Sequence, residues 1–201
     1  NSIRGPSSHN ALVGFRTTLG LTSRYGIVPL YLRNDVGGPM CRTVEDATRI
    51  LDVIAGTDLK DSLTLYGEGK VPQTYLDYLQ KDGLQGARIG VLRQLSDKDV
   101  HPEINALFEQ ALQDMIAQGA ILVDPFVVAG FDSLRQDQWC ADFGNDIADF
   151  FETFVKRENL KGLEDLLGVG GTSSFVTGRL ERFVGKSGRW GNTEIDCADP
   201  Y

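Results

Sequence analysis

Residues 88–123 read RIGVLRQLSDKDVHPEINALFEQALQDMIAQGAILV. The apolar runs at 88–92 and 120–123 each have the length of a short buried strand. Residues 103–118 between them repeat apolar side chains at helical spacing, and Gly119 follows as a helix stop. The apolar stripe of this helix consists of Ile104, Leu107, Phe108, Ala111, Leu112, Met115 and Ile116. Strand, helix and strand of these lengths predict a right-handed βαβ unit with parallel strands.

Two other segments have helical periodicity. In residues 43–56, Thr43 can cap a helix whose stripe is Val44, Ala47, Ile50, Leu51 and Ile54, and Gly56 can end it. Residues 132–158 are predicted to be mostly helical, with a core-facing stripe of Phe143, Ile147, Phe150, Phe151 and Phe154. The predicted fold class is therefore α/β, with a mixed, largely parallel central sheet flanked by helices.

The remaining segments predict little regular structure. Residues 1–40 are rich in Gly, Ser and Pro and indicate turns with short extended pieces at 11–15 and 27–30. We expect residues 57–86 to form a loop with one short helix at 74–80, and residues 160–201 to hold a short helix near 162–167 followed by glycine-broken loops.

The composition argues against partners with strong negative charge. The 201 residues contain 20 Lys and Arg against 28 Asp and Glu, so the net charge is −8. Such a chain has no general attraction for nucleic-acid backbones or anionic lipid surfaces. No apolar run approaches the roughly 20 residues that span a bilayer. We therefore expect neither a nucleic-acid partner nor a membrane partner.

The cysteines and histidines indicate neither a disulfide framework nor a metal site. Cys41, Cys140 and Cys197 are odd in number and contain no C-x-x-C pair, so we expect free, mostly buried thiols. The only histidines, His9 and His101, have no clustered ligands beside them. No N-x-[ST] acceptor occurs either. These features favour a reducing, cytoplasmic location, and we expect no metal and no cofactor.

Charge is unevenly distributed along the chain. The first 34 residues contain no Asp or Glu but hold four arginines: Arg4, Arg16, Arg24 and Arg33. This cationic segment could surround an anion or an oxyanion. Alternatively, the arginines pair with carboxylates from other parts of the fold.

The opening residues 1–10, NSIRGPSSHN, carry candidate chemistry. Ser2, placed before a Gly-Pro turn, can present its hydroxyl and neighbouring amide N–H groups to one point. Acyl transfer requires such a nucleophile together with donors aimed at the developing oxyanion. A serine in a polar loop can equally be a cap or solvated. His9 could act as a base, although no orienting carboxylate lies near it in the sequence.

Five sequence motifs within residues 2–55 bear on the role of Ser2. They read SIRGP at 2–6, ALVGFR at 11–16, LTSRYGIVP at 21–29, DVGGPM at 35–40 and RTVEDA at 42–47. In their order and close spacing, these blocks resemble the amidase signature family. That resemblance implies a Ser–Ser–Lys hydrolase in which the serine of the G-G-S-I-R stretch attacks an amide carbonyl.

The resemblance assigns roles to three residues. Ser2 matches the attacking position, and the backbone N–H groups of Asn1 and Ser2 match the oxyanion hole. Asn1 stands where many members have Gly, a change that retains the backbone donor. Arg4 matches a structural ion-pair position rather than a catalytic one. The second Ser, which relays the proton to a neutral Lys, and that Lys itself lie upstream of this stretch in the family.

We therefore expect residues 1–201 to be a partial amidase-signature domain without the upstream catalytic portion, and to be inactive alone. Residues 1–56 would be the signature segment that carries the nucleophile, and residues 57–201 the α/β remainder. The expected reaction is hydrolysis of a small-molecule carboxamide to a carboxylate plus ammonia or an amine. The expected partners are that substrate and the remainder of the amidase chain, with a homodimer left open.

Three other functions stay open at this point. A glutamine-dependent amidotransferase component of the same family would pass ammonia to a second active site. An interaction domain could keep the fold without the chemistry. A binding module could use the cationic Ser/Gly segment to hold an anionic ligand.

Overall fold

The computed structural model describes residues 2–95, 100–136 and 143–184. The helices are α1 (Arg4–His9), α2 (Val44–Ile54), α3 (Pro102–Ala117), α4 (Phe131–Gln136), α5 (Phe143–Phe150), α6 (Leu163–Val169) and α7 (Ser174–Leu180). The strands are β1 (Val13–Gly14), β2 (Met40–Cys41), β3 (Arg88–Gly90) and β4 (Ile121–Val123). Short 3₁₀ turns occupy Ser62–Gly67, Leu76–Tyr78, Arg93–Leu95 and Glu181–Phe183, and a π-helical turn occupies Phe151–Val155.

The chain forms two compact units. One contains Asn1–Tyr75 together with Gln138–Tyr201, and the other contains Leu76–Asp137. The predicted division between residues 56 and 57 follows the sequence motifs rather than compactness, and it stays a prediction. Among the helices in the described ranges, none has both the length and the apolar character needed to cross a bilayer.

The unit Leu76–Asp137 confirms the predicted strand–helix–strand order. Strands β3 and β4 are parallel, with Ile89 opposite Leu122, and α3 connects them. The imidazole Nδ1 of His101 accepts a hydrogen bond from the backbone N–H of Glu103 at 3.3 Å, which caps the start of α3. Gly119 follows the helix with φ 90°, a conformation that favours glycine. Parallel strands with a connecting helix confirm the α/β class.

The apolar stripe of α3 is only partly buried. Leu112 is buried, whereas Ile104 and Leu107 are 61% and 71% exposed. A helix of this length extends about 24 Å. Each three-residue strand extends only about 10 Å. The two strands of this unit are therefore too short to cover the whole stripe.

The N-terminal part of the other unit contains an antiparallel ribbon. Strands β1 and β2 pair Val13 with Cys41, and both α1 and α2 contact this ribbon. The Thr43 hydroxyl accepts the Asp46 backbone N–H at 3.0 Å, which confirms the predicted cap of α2. Gly56, predicted to end α2, has φ 146° and donates its N–H to the Leu21 carbonyl at 3.0 Å.

The C-terminal part of the same unit has an aromatic core. Phe143, Ile147, Phe151 and Leu163 are buried, and Phe150 packs against them. The predicted stripe is therefore confirmed as core at Phe143, Ile147, Phe150 and Phe151, and Leu163 of α6 completes the cluster. Phe154, the last member of the stripe, is 38% exposed and contacts the Tyr25 ring edge-on at a centroid distance of 4.8 Å.

Several expectations for local structure were wrong. Residues 4–9 form α1 instead of a turn, because a proline in the first turn of a helix needs no N–H partner. Residues 174–180 form α7 instead of a loop, since the Ser173 hydroxyl accepts the Val176 N–H at 3.3 Å and caps it. Residues 27–30 contain no strand, and the extended piece at 11–15 shortens to β1. Cys41 is a free, half-buried thiol, whereas Cys140 and Cys197 lie outside the described residues.

Candidate active site

Ser2 lies in the turn that leads into α1, and its side chain is exposed. Ile3 follows it in a right-handed helical conformation, with φ −95° and ψ −56°. Among the residues that the structure describes, none forms a hydrogen bond with the Ser2 hydroxyl. This oxygen is therefore exposed and has no hydrogen-bond partner among the described residues.

The carbonyl group of Ile3, the residue that follows Ser2, is held from inside α1. The Ile3 carbonyl accepts two hydrogen bonds from Ser7, one from the backbone N–H at 3.2 Å and one from the hydroxyl at 2.7 Å. The Ser7 carbonyl in turn accepts the Leu12 N–H at 2.9 Å. Ser7 is only 3% exposed, so water does not compete for these bonds. The backbone beside Ser2 is therefore fixed although its side chain is free.

The structure places the other predicted site residues as follows. Asn1, predicted as an oxyanion donor, lies outside the described residues. Arg4 begins α1 and is exposed, and it forms no ion pair with any carboxylate of the described ranges. His9 is exposed in the last turn of α1. Ser2 and Arg4 thus share one short segment, and the roles predicted for Asn1, Ser2 and Arg4 stay predictions.

Two arginines of the cationic segment have assigned partners. The Arg24 guanidinium forms a salt bridge with Asp61 at 2.7 Å, as expected if these arginines pair with distant carboxylates. Arg16 instead donates to the side-chain oxygen of Asn34 at 2.7 Å and to its carbonyl at 3.1 Å. The first interaction joins the signature segment to the loop that follows it, and the second joins two parts of the signature segment.

The Arg24–Asp61 pair belongs to a buried polar network, part of which lies in the predicted loop 57–86. Hydrogen bonds from Arg24 lower the pKa of Asp61. The Ser23 hydroxyl donates to Asp58 at 2.6 Å and lowers the pKa of that carboxyl. The Thr64 hydroxyl donates to the Asp61 carbonyl at 2.8 Å. The regular spacing Asp58, Asp61, Thr64 is the signal that could have revealed this network.

Two threonines hold the chain between β1 and β2. The hydroxyls of Thr17 and Thr22 both donate to the Gly37 carbonyl, at 2.8 and 3.1 Å. Both threonines are buried, with Thr17 at 0% exposure. The shared acceptor fixes the return of the chain toward Pro39, whose carbonyl accepts the Phe15 N–H at 3.0 Å.

A separate cavity of about 480 Å³ lies beside α5 and the π-helical turn. Its lining combines apolar side chains such as Phe151 and Leu160 with charges of both signs, including Glu152 and Arg157. Ser2 is not among its lining residues, so the cavity is not assigned to the candidate nucleophile. Within the described part of the chain, no group of three or more His, Cys, Asp or Glu could hold a metal ion.

Comparison with known proteins identifies the class. The family model described as Amidase matches residues 1–182. A probable amidase from Arabidopsis thaliana is 32% identical over 174 residues, covering 83% of this chain and 32% of that protein. The A subunit of the glutamyl-tRNA(Gln) amidotransferase from Thermosynechococcus vestitus is 41% identical over 125 residues, covering 61% of this chain and 25% of that protein.

A solved structure has the same fold. The peptide amidase from Stenotrophomonas maltophilia superposes with a TM-score of 0.73 at 29% identity, covering 98% of this chain and 40% of that structure. The chain belongs to the amidase signature family. It spans about a third of the length of the curated amidases that it matches.

Proposed function

We propose that this chain is part of an amidase that hydrolyses a carboxamide through an acyl-enzyme on Ser2. The observation that carries the proposal is the exposed Ser2 hydroxyl, which forms no hydrogen bond with a described residue, one residue before the Ile3 carbonyl that accepts two hydrogen bonds from Ser7. The family match over residues 1–182 supports the amidase class. Family membership together with the exposed position of Ser2 favours Ser2 as the nucleophile over the other serines of the chain.

In the proposed reaction, the Ser2 Oγ bonds to the amide carbonyl carbon while its proton passes to a base. The backbone N–H groups of Asn1 and Ser2 donate to the resulting oxyanion. Collapse of the tetrahedral intermediate breaks the C–N bond, and the leaving nitrogen departs as ammonia or an amine after receiving the proton. Water then attacks the ester, releasing the carboxylate and restoring the Ser2 hydroxyl.

The proposed base is the Ser–Lys pair that the family resemblance places upstream of Ser2. A serine hydroxyl is a poor nucleophile without a base. A positioned base contributes roughly 10²–10⁴ in rate. We therefore propose that residues 1–201 alone are inactive, and that Arg4 supports the segment without taking part in the chemistry.

The full-length natural protein tests the role of Ser2 by fluorophosphonate labelling, located by mass spectrometry, and by release of ammonia or amine from amides. Ser2→Ala should abolish the adduct and lower kcat by at least about 10³-fold. Ser8→Ala is the matched control, because Ser8 is exposed and donates only to the Gly5 carbonyl within α1, at 2.9 Å. Undiminished labelling and turnover in Ser2→Ala would rule out Ser2 as the nucleophile.

Peptide amides are the first substrates to test. The support is the similarity to the S. maltophilia peptide amidase, which covers 98% of this chain. A panel of peptide amides and small aliphatic or aromatic amides, compared by kcat/KM, separates the two classes of substrate. Preference for small amides over every peptide amide would overturn the peptide-amide assignment and leave the Ser2 mechanism intact.

A second candidate function is that of an amidotransferase component. The identity of 41% to the T. vestitus protein favours it, although that match covers a shorter part of the chain. Ammonia release from a simple amide without any partner protein would favour the hydrolase. Activity that appears only when partner proteins are added would favour the amidotransferase.

We also propose a cytoplasmic location, supported by the odd number of cysteines and the absence of an N-x-[ST] acceptor in the sequence. The proposed partners are the amide substrate and the remainder of the amidase chain. We propose no nucleic-acid partner and no membrane partner, and homodimer formation is left open. Fractionation of the source cells and size-exclusion chromatography of the full-length protein test the location and the dimer.

A further inference from the structure

Ser7 packs where Gly14 leaves room for it. A Cβ atom added to Gly14 would overlap the Ser7 hydroxyl and would lie 2.6 Å from the Ser7 Cβ and 3.2 Å from the Ile3 carbonyl oxygen. The φ angle of Gly14 is not in the left-handed region, so any cost of a side chain there is steric. The ribbon strand β1 thus approaches α1 more closely than a side chain at position 14 would allow.

A second glycine, Gly38, makes the same kind of close approach just before β2. A Cβ atom on Gly38 would overlap the Phe15 carbonyl oxygen and would lie 3.0 Å from the Cδ1 atom of Ile3. Gly38 precedes the pairing of β2 with β1, which aligns Gly14 with Met40. The side chain of Ile3 therefore lies beside Gly38, while the Ile3 carbonyl accepts hydrogen bonds from Ser7.

We infer that Ser7 and Gly14 are positioning residues for the candidate nucleophile: Gly14 admits the Ser7 side chain, and Ser7 fixes the carbonyl group of Ile3, the residue that follows Ser2. The inference rests on the proposed function of Ser2. The two hydrogen bonds fix the Ile3–Arg4 peptide, which is joined to the Ser2–Ile3 peptide through the Ile3 Cα atom, and they thereby limit the directions in which the backbone can leave Ser2. Correct placement of a reacting atom matters greatly, since a misplacement of about 1 Å can lower a rate by about 10²-fold.

The test uses the full-length natural protein with Gly14→Ala, Ser7→Gly and the double variant. Gly14→Ala should lower kcat and the rate of Ser2 labelling by about 10²-fold with little change in KM. Ser7→Gly removes the side chain and also gives the α1 backbone more freedom, so it should lower both rates by about 2- to 10-fold. The double variant should be close to Ser7→Gly, because the overlap with the Ser7 side chain is gone and only the 3.2 Å contact with the Ile3 carbonyl oxygen is left.

Gly178→Ala is the control, since a Cβ atom at that position of α7 meets nothing within 4 Å. It should retain wild-type rates. If circular dichroism shows that Gly14→Ala does not fold, Ser7→Ala tests the positioning role instead. That variant keeps the Cβ atom, loses the hydroxyl and should lower kcat by about 2- to 10-fold at unchanged KM.

The outcomes separate the two proposals. A wild-type protein that neither labels at Ser2 nor releases ammonia or amine from amides overturns the proposed function and, with it, the positioning role. An active wild type with unchanged rates in Gly14→Ala overturns the positioning role alone. A double variant that stays as slow as Gly14→Ala also overturns it, because the clash with Ser7 would then not be the cause. Unchanged kcat in Ser7→Ala would also overturn the positioning role.

Discussion

The guanidinium of Arg24 binds both carboxylate oxygens of Asp61. Its Nε donates to Oδ2 at 2.9 Å and its Nη2 donates to Oδ1 at 2.7 Å. The side chains are only 10% and 6% exposed. The backbone N–H of Arg24 also donates to Oδ2 at 2.9 Å, and another guanidinium nitrogen donates to the Leu32 carbonyl. One ion pair therefore joins three parts of the chain.

Asp61→Asn should destabilise the full-length protein by about 3 kcal/mol, since removing one partner of a buried pair leaves a buried charge uncompensated. The measurement is the free energy of unfolding from urea denaturation. Glu45→Gln is the matched control, because the Glu45–Arg49 pair has the same kind of contact at 2.6 Å but is 60% exposed on both sides. We expect the control to change stability by less than about 0.5 kcal/mol. Equal effects would contradict the structural role of Asp61.

Arg93 should make stability dependent on acid pH. Hydrogen bonds from its guanidinium lower the pKa values of Asp124 and Glu109. A carboxyl with a lower pKa in the folded state binds fewer protons there than in the unfolded chain. Its stabilisation is present above the ordinary pKa of about 4 and is lost as the pH falls through the folded-state value.

Arg93→Gln should therefore reduce the change in urea midpoint between pH 5 and pH 3. The measurement is a series of urea unfolding curves at fixed ionic strength for the wild type and the variant. Arg49→Gln, which removes an exposed cation, serves as the control and should preserve the wild-type dependence. An unchanged pH dependence in Arg93→Gln would show that this cluster does not contribute.

Ala11→Gly should stabilise the protein by about 0.5–1 kcal/mol. Ala11 follows α1 with φ 52°, in the left-handed region that costs a residue with a Cβ atom about 1–2 kcal/mol. Part of the gain is offset by the greater freedom of glycine in the unfolded chain. Ala111→Gly is the same substitution at an exposed position inside α3, and it should destabilise by about 1 kcal/mol. Unfolding temperatures that move in the same direction would refute this account.

Ile147→Ala should destabilise the protein by about 2–5 kcal/mol, because it leaves a cavity in the aromatic core where Ile147 is 3% exposed. Ile147→Val should cost about 0.5–1.5 kcal/mol. Val53→Ala, at a position that is 82% exposed, should have little effect. Chemical denaturation of the three variants measures the series, and a tolerated Ile147→Ala would contradict the assignment of this core.

The elements that the sequence predicts best are those whose capping residues and periodic apolar residues lie close together in the chain. Helix α2 shows its Thr43 cap and its periodic apolar residues within a dozen positions, and α3 is bounded by Pro102 and Gly119. Helix α1 was missed because Gly5 and Pro6 have the composition of a turn, although a first helical turn accepts both. Composition alone does not distinguish these two uses of proline.

The residues themselves determined the two strong helices, the order of parallel strands around α3 and the resemblance that pointed to Ser2. These features depend on caps and side-chain spacing, which act over a few residues. Only the tertiary structure decided that Leu112 is buried while Leu107 is exposed, that Ser7 occupies the space left by Gly14, and that Arg24 pairs with Asp61. Burial and pairing depend on which distant segments of the chain pack against each other. Local periodicity carries no information about that packing.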